Sequence, residues 1–182
     1  DLAAMRCLSR SISCSLALLT AGLAQSEPAP LPMDTIALAF SKITINDGLS
    51  QGMVSTIAQD PHGFMWFGTK DGLNRYDGYR FTVFRHDAAD TNSVRESTIT
   101  GMHCDRHGRL WVGTATGLDL FDERTEHFIH LNIPGPKGDW GSVVHIVLDD
   151  NGDLWVSTTS TLVKLTFAAP FTGFEPPSFT TS

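Results

Sequence analysis

One tryptophan environment recurs three times along the chain, and that recurrence restricts the fold more than any other feature. Trp66, Trp111 and Trp155 stand 45 and 44 residues apart. The segment "VSTIAQDPHGFMWFGTKDGLNRYD" (Val54 to Asp77) aligns with "TITGMHCDRHGRLWVGTATGLDLFD" (Thr98 to Asp122) and with "VVHIVLDDNGDLWVSTTSTLVKL" (Val143 to Leu165). Ile57, Met102 and Ile146 keep the same phase, as do Asp60, Asp105 and Asp149, and Gly63, Gly108 and Gly152. Unlike residue types held in phase over three copies, with no insertion longer than one residue, mark an internal structural repeat.

Within each copy the pattern alternates with a period near two. In "MWFGT" and "LWVGT" the tryptophan faces one way and its neighbours the other, and the short runs end in Asp-x-x-Gly or Gly-Leu. This is the pattern of strands joined by tight turns, and no window sustains a helical period. In the first copy the spacing predicts strands over Val54 to Gln59, Phe64 to Gly68, Leu73 to Tyr76 and Arg80 to Arg85, with equivalents in the second. Four strands in about 45 residues make one blade of a β-propeller.

The repeated polar residues have physical roles in such a unit. In Asp-x-x-Gly the carboxylate accepts amide hydrogens of the turn, and the glycine takes a positive φ that a Cβ would resist. Each tryptophan offers a flat apolar face suited to the space between blades, with an indole N–H that needs one partner. Gly113 and Gly117 flank a turn where backbone must pass closely. A constellation present three times is scaffold, since a catalytic site needs its groups converged once.

The stretch "DGLSQGMVSTIAQDPHGFMWFGTKDGLNRYDGYRFTVFRHDAADTNSV" resembles the two-component regulator propeller repeat, whose core reads D-x-x-G-x-[LI]-W-[IVF]-G-T-x-x-G-L. The resemblance covers roughly Ile43 to Leu165. It departs in the third copy, where Ser157 and Thr161 replace Gly113 and Gly117. The resemblance implies the periplasmic sensor region of bacterial hybrid histidine kinases or diguanylate cyclases, often with carbohydrate-derived ligands. Three copies do not close a ring, which takes at least four blades and in this family about seven. The chain is therefore expected to be an all-β partial propeller of about three four-stranded blades after an N-terminal signal helix. It reads as the N-terminal fragment of a longer receptor.

The expected organisation is a signal peptide with upstream residues over 1–26 and a linker with the start of an outer closing strand over 27–42. Three repeats follow over 43–166 (about 54–97, 98–142 and 143–166), then an irregular truncated tail over 167–182. After Met5, Arg6 and Arg10 precede the apolar run "SISCSLALLTAGLA" and the proline-rich "QSEPAPLP", the order of a secretory signal. That run is shorter than the ~20 apolar residues of a spanning helix. Export to the periplasm is expected, with the longer parent anchored in the inner membrane. Cleavage would remove Cys7 and Cys14 and leave Cys104 as a small buried hydrophobe.

Composition narrows the function. With 41% hydrophobic and 18% charged residues the chain is in the globular range. A net charge of −7 and only 13 Lys plus Arg, thinly spread, exclude a phosphate-tracking stripe, so no nucleic-acid partner is expected. The seven histidines lack metal-ligand spacing, and "DDNGD" at Asp149 to Asp153 lacks the ligands of a calcium loop. No nucleophile elbow, phosphate loop or dinucleotide fingerprint occurs. Neither metal, cofactor nor catalytic residue is expected.

Recognition is expected on loops that differ between copies and emerge on one face of the propeller. The candidate ligand-binding residues are Gln51, Lys70, Arg95, Glu96, Trp140 and Ser160, with Ser50, Asp71 and Thr159 beside them. Trp140, in "PGPKGDWGS", stands outside the phase of the other tryptophans; a loop aromatic tucked against its own blade is the favoured reading, and stacking on a sugar is the alternative. The expected function is non-enzymatic sensing of a carbohydrate-derived or other small ligand, with the remaining blades and the output domain of the parent as partners and dimerisation in that receptor. The alternatives are a propeller enzyme, such as a lyase or quinoprotein dehydrogenase, and an exported protein-interaction scaffold.

Overall fold

The computed structural model describes residues 39–131, 141–169 and 178–181. The signal sequence and Trp140 therefore lie outside the described residues. Chain contacts separate residues Asp1–Phe40 from a second unit, Ser41–Ser182, which holds all the strands described below.

Among the described residues, twelve strands form three antiparallel four-stranded sheets. The first comprises β1 (Val54–Gln59), β2 (Met65–Thr69), β3 (Gly72–Tyr76) and β4 (Phe81–Phe84), and the second β5 (Ile99–Cys104), β6 (Leu110–Thr114), β7 (Leu118–Asp122) and β8 (His127–Leu131). The third comprises β9 (Val143–Leu148), β10 (Leu154–Thr158), β11 (Leu162–Phe167) and β12 (Phe179–Thr181). Each is a meander in chain order, so every sheet is one blade. The first blade follows the expected strands to within one residue at most ends. Most of the expected linker and outer-strand start, residues 27–38, lies outside the described residues; residues 39–44 form no strand and lead into a 3-10 turn, Ile45–Asp47, where Thr44 and Asp47 form a capping box. One expectation needs correction. The tail expected to be irregular supplies β12, because Thr181, Thr180 and Phe179 pair with Leu165, Thr166 and Phe167 and complete the third blade.

Register decides what packs between blades. Ala58 pairs with Trp66 and Trp66 with Arg75, so these side chains share one face, while Ile57, Phe67 and Asn74 share the other. The tryptophan face of the first blade meets Met102, Leu110, Val112, Phe121 and Phe128 of the second, with the Trp66 and Phe121 rings edge to face at 5.1 Å. The tryptophan face of the second blade meets Ile146, Leu154, Val156 and Leu165 of the third, with Trp111 stacked on Phe167 at 6.0 Å. Gly68 and Gly113 allow this approach. A Cβ on Gly68 would stand 2.7 Å from Ile99 Cγ2, and one on Gly113 only 2.5 Å from Val143 Cγ1. At Gly113 the obstructing residue opens the next blade, while at Gly68 Thr56 of its own blade stands as near, at 2.6 Å. The glycine of W-x-G-T is thus required by the neighbouring blade and, in the first copy, by the adjacent strand as well.

The repeated aspartate joins the turn to the tryptophan. Asp60 accepts from the amides of His62 and Phe64 and, at 2.8 Å, from Trp66 Nε1. Asp105 and Asp149 make the equivalent bonds, to Trp111 Nε1 at 3.0 Å and Trp155 Nε1 at 2.9 Å. The indole partner anticipated from sequence is therefore the turn carboxylate itself. A cation lies over each ring: Arg75, Arg109 and Lys164 at 5.6, 5.6 and 5.4 Å from Trp66, Trp111 and Trp155. Arg75 and Lys164 sit across the ladder from their tryptophans. In the second blade that place belongs to Leu120, and Arg109 comes instead from the tryptophan's own strand side.

Candidate functional site

The candidate residues fall on the rim formed by the β2–β3, β6–β7 and β10–β11 turns and by the segments entering β1, β5 and β9. These turns share one construction, in which Thr69, Thr114 and Thr158 donate their hydroxyls to the carbonyls of Gly72, Gly117 and Thr161 at 3.0, 3.0 and 3.2 Å. Each turn is also tied to the incoming segment. Lys70 N donates to Gln51 Oε1 at 3.2 Å, Ala115 N to Thr98 O and Thr159 N to Ser142 O. The rim is thus braced before any ligand is considered.

The structure gives the sequence candidates unequal roles. Lys70 and Ser160 are exposed, and Ser160 N donates to Thr158 Oγ1 within its turn. Beside Lys70, Asp71 pairs with Arg85 at 2.9 Å, a bond that holds the carboxyl below the usual aspartate range and raises the guanidinium. Gln51 spends its carbonyl oxygen on Lys70 N. Arg95 is turned inward: its backbone N and Nε donate to the two oxygens of buried Asp119 at 2.8 and 3.1 Å, and Nη2 donates to Leu131 O. Glu96 follows with Oε2 buried and without a hydrogen-bond partner among the described residues, an arrangement that costs free energy unless a donor reaches it.

Two polar residues of this rim escaped the sequence reading. Asn74 on β3 accepts from Ser50 N at 2.8 Å through Oδ1 and donates Nδ2 to the carbonyls of Phe67 and Gly72. Asp119, 45 residues on, holds Arg95 in the same way and also meets His130 Nδ1 at 2.8 Å, while His130 Nε2 lies 3.1 Å from Thr91 O. Both are fully buried. They anchor the segments that enter the first two blades, and the signal was available: a polar residue in phase within the apolar strands "GLNRY" and "GLDLF". The third copy has Val163 there.

The opposite rim carries the aspartate turns. Burial alone would raise the Asp105 carboxyl, but hydrogen bonds from Trp111 and Arg109 and the Arg109 charge outweigh it and hold the group below its ordinary range. Cys104 is half-buried, and desolvation with three nearby carboxylates pushes its thiol up to about 11, so it stays a protonated packing residue. A cleft of 460 Å³ opens on this rim among Arg106, His107, Asn151, Asp153 and Phe167, away from the expected site residues. Among the described residues no group of three or more His, Cys, Asp or Glu side chains could hold a metal ion, and no helix is long and apolar enough to cross a membrane.

The family described as "Two component regulator propeller" matches residues 48–71 and 93–116, the cores of the first two blades. Those two segments match the two-component regulator propeller repeat. Over 55 residues it is 46% identical to "Histidine kinase P4" of Formosa agariphila, a match covering 30% of this chain and 4% of that protein. It superposes on the extracellular domain of a protein named a hybrid two component system from B. thetaiotaomicron with a TM-score of 0.62 and 27% identity, over 70% of this chain and 19% of that one. The extracellular domain of a second such system from the same organism gives 0.57 and 25%, over 70% and 18%. This propeller is therefore similar to the extracellular domains of two-component systems, and it spans about a fifth of their length.

Proposed function

We propose that this regulator propeller is the non-enzymatic, ligand-sensing part of an exported bacterial receptor whose output is a histidine kinase or a diguanylate cyclase. The supporting observation is its likeness, in both sequence and backbone, to the extracellular domain of a hybrid two component system. The division of labour within the repeat agrees with that reading. Aspartate, glycine and tryptophan are reused in every blade to hold the scaffold, whereas Gln51, Lys70, Arg95, Glu96 and Ser160 differ from one copy to the next on a single rim. A rim braced by Asn74 and Asp119 but varied in its outward groups suits recognition of a hydroxyl-rich, carbohydrate-derived ligand, with Trp140 as its stacking residue. The sensing chain would lie in the periplasm, on a parent held in the inner membrane.

Titration of the chain with a panel of oligosaccharides, followed by calorimetry and thermal melting, tests the proposal. A saturable rise in melting temperature that is lost in Lys70→Ala and Trp140→Ala supports it. Turnover of a sugar, alcohol or cyclic peptide by the purified chain, or binding indifferent to both substitutions, overturns it.

A further inference from the structure

The two interfaces between blades match along their cores but differ on the rim of the aspartate turns. In the first, Pro61 closes on the second blade, where a Cβ on Gly108 would stand 3.2 Å from Pro61 Cγ, and the His62 imidazole meets Glu123 at 3.3 Å. In the second, Arg106 and His107 take the places of Pro61 and His62, and Phe167 takes the place of Glu123. A Cβ on Gly152, in phase with Gly108, would meet nothing within 4 Å. The cleft of 460 Å³ opens there. Both of its walls belong to blades that the chain contains, the second and the third.

The cleft is rich in donors, and its carboxylates are already engaged. Arg106 commits Nη2 to the Asp150 carbonyl at 3.3 Å. The His107 ring and the Asn151 side-chain amide have no hydrogen-bond partner among the described residues. Asp153 holds Lys164 at 2.7 Å, and Asp105, behind the wall, accepts from Arg109 and Trp111. The remaining acid of the turn, Asp150, is exposed and does not line the cleft. Phe167, Ala168 and Ala169 supply an apolar side. Spare donors facing an apolar side suit a group that only accepts, carried on a ring. We propose that the cleft between the second and third blades binds a small cyclic carboxylic acid, with its carboxylate on Arg106 and its ring against Phe167. The volume is that of a pocket for a small molecule. The cleft lies on the rim opposite Lys70 and Ser160, apart from the sensing surface proposed above.

Calorimetric titration of the full chain with benzoate and with glucuronate, each beside a neutral counterpart, benzyl alcohol and glucose, tests this. At least one of the acids should bind saturably, at least ~10-fold more tightly than its counterpart, and added salt should weaken it. Preference for benzoate identifies an aromatic acid as the ligand, and preference for glucuronate a sugar acid. Arg106→Gln should weaken binding at least ~10-fold, and Asn151→Ala should weaken it less. Both side chains are exposed, and circular dichroism with thermal melting checks that the variants fold. Acetate should bind much more weakly than the preferred acid, because it brings no ring to Phe167. Four results would each overturn the proposal: no saturable binding of either acid, equal affinity for an acid and its neutral counterpart, acetate bound as tightly as the ring acids, or binding unmoved by Arg106→Gln.

Discussion

Asp105→Ala should be among the most damaging single changes in the propeller, and its cost follows from four bonds. The carboxylate accepts from His107 N at 2.8 Å, Arg109 N at 3.1 Å, Arg109 Nε at 2.6 Å and Trp111 Nε1 at 3.0 Å. Arg109 has a side chain only 4% exposed, and removing one partner of a buried charge costs up to about 3–5 kcal/mol. The amides and the indole add about 1 kcal/mol each, though not independently. Arg109 keeps its contact with the Trp111 ring, so a total of about 4–6 kcal/mol is expected, against the ~5–15 kcal/mol that holds a typical domain folded. For a chain of this size that lowers the melting temperature by roughly 8 °C or more. Asp149→Ala removes the same type of acceptor from Asn151 N, Asp153 N and Trp155 Nε1, but on an open rim where water can replace it, so its melting shift should be much smaller. Thermal melts of both variants, followed by tryptophan fluorescence and circular dichroism, make the comparison. Equal shifts for the two, or an Asp105→Ala chain melting within about 2 °C of wild type, would refute the argument that burial sets the cost.

Acid should destabilise the fold in two stages. His103 is held below the usual histidine range by burial, which outweighs the attraction of Asp105, and Asp105 is held below the usual aspartate range by its bonds to Trp111 and Arg109 against the opposing effect of burial. In both cases the unfolded chain binds the proton more readily. Stability is therefore complete above the unfolded value and falls as pH drops through the folded one. Urea midpoints measured downward from neutral pH should decline first below about 6.5 and again below about 3.9, with the second step reduced in Asp105→Ala and its remainder owed to the other lowered carboxylates, Asp71, Asp77 and Asp149. Gly113→Ala should cost about 1–3 kcal/mol through its clash with Val143, whereas Ser157→Ala at the equivalent place should be nearly neutral in equilibrium unfolding. Asp119→Ala should release the segment entering β5, and limited trypsin digestion should then cut after Arg95 at least ~10-fold faster, while an unchanged cleavage rate would deny Asp119 its anchoring role.

The strands, the three blades and the contrast between tryptophan and turn were legible because each copy solves the same packing problem. Residues that face the same surroundings three times keep the same identity, so phase alone exposes Asp60, Gly63 and Trp66 with their counterparts. The fourth strand of the third blade was not legible for the complementary reason. In the first two blades the outer strand is amphipathic and follows the third closely, but Phe179–Thr181 lies 12 residues beyond Phe167. A three-residue strand of Phe and Thr carries no alternation long enough to read; it is specified by pairing with β11.

The rim shows why site residues are harder to read than scaffold. Arg95 was singled out as a charged loop residue that breaks the repeat, which is the pattern a ligand contact would give. Its donors instead serve Asp119 and Leu131, and the residue in phase with it, Ser50, spends its backbone N–H on Asn74 in the same manner. What recurs is the bond from a backbone amide to a buried side chain, and sequence records only the acceptor. Reading Asn74 and Asp119 as a recurrent buried acceptor would have reassigned the Arg95 segment to the brace. Glu96 stands in phase with Gln51. Gln51 satisfies the rim by accepting from Lys70 N, while Glu96 places a buried oxygen with no donor among the described residues. One oxygen of Glu96 thus lacks, among the described residues, the donor that its counterpart Gln51 has, and burying it so costs free energy unless a donor reaches it.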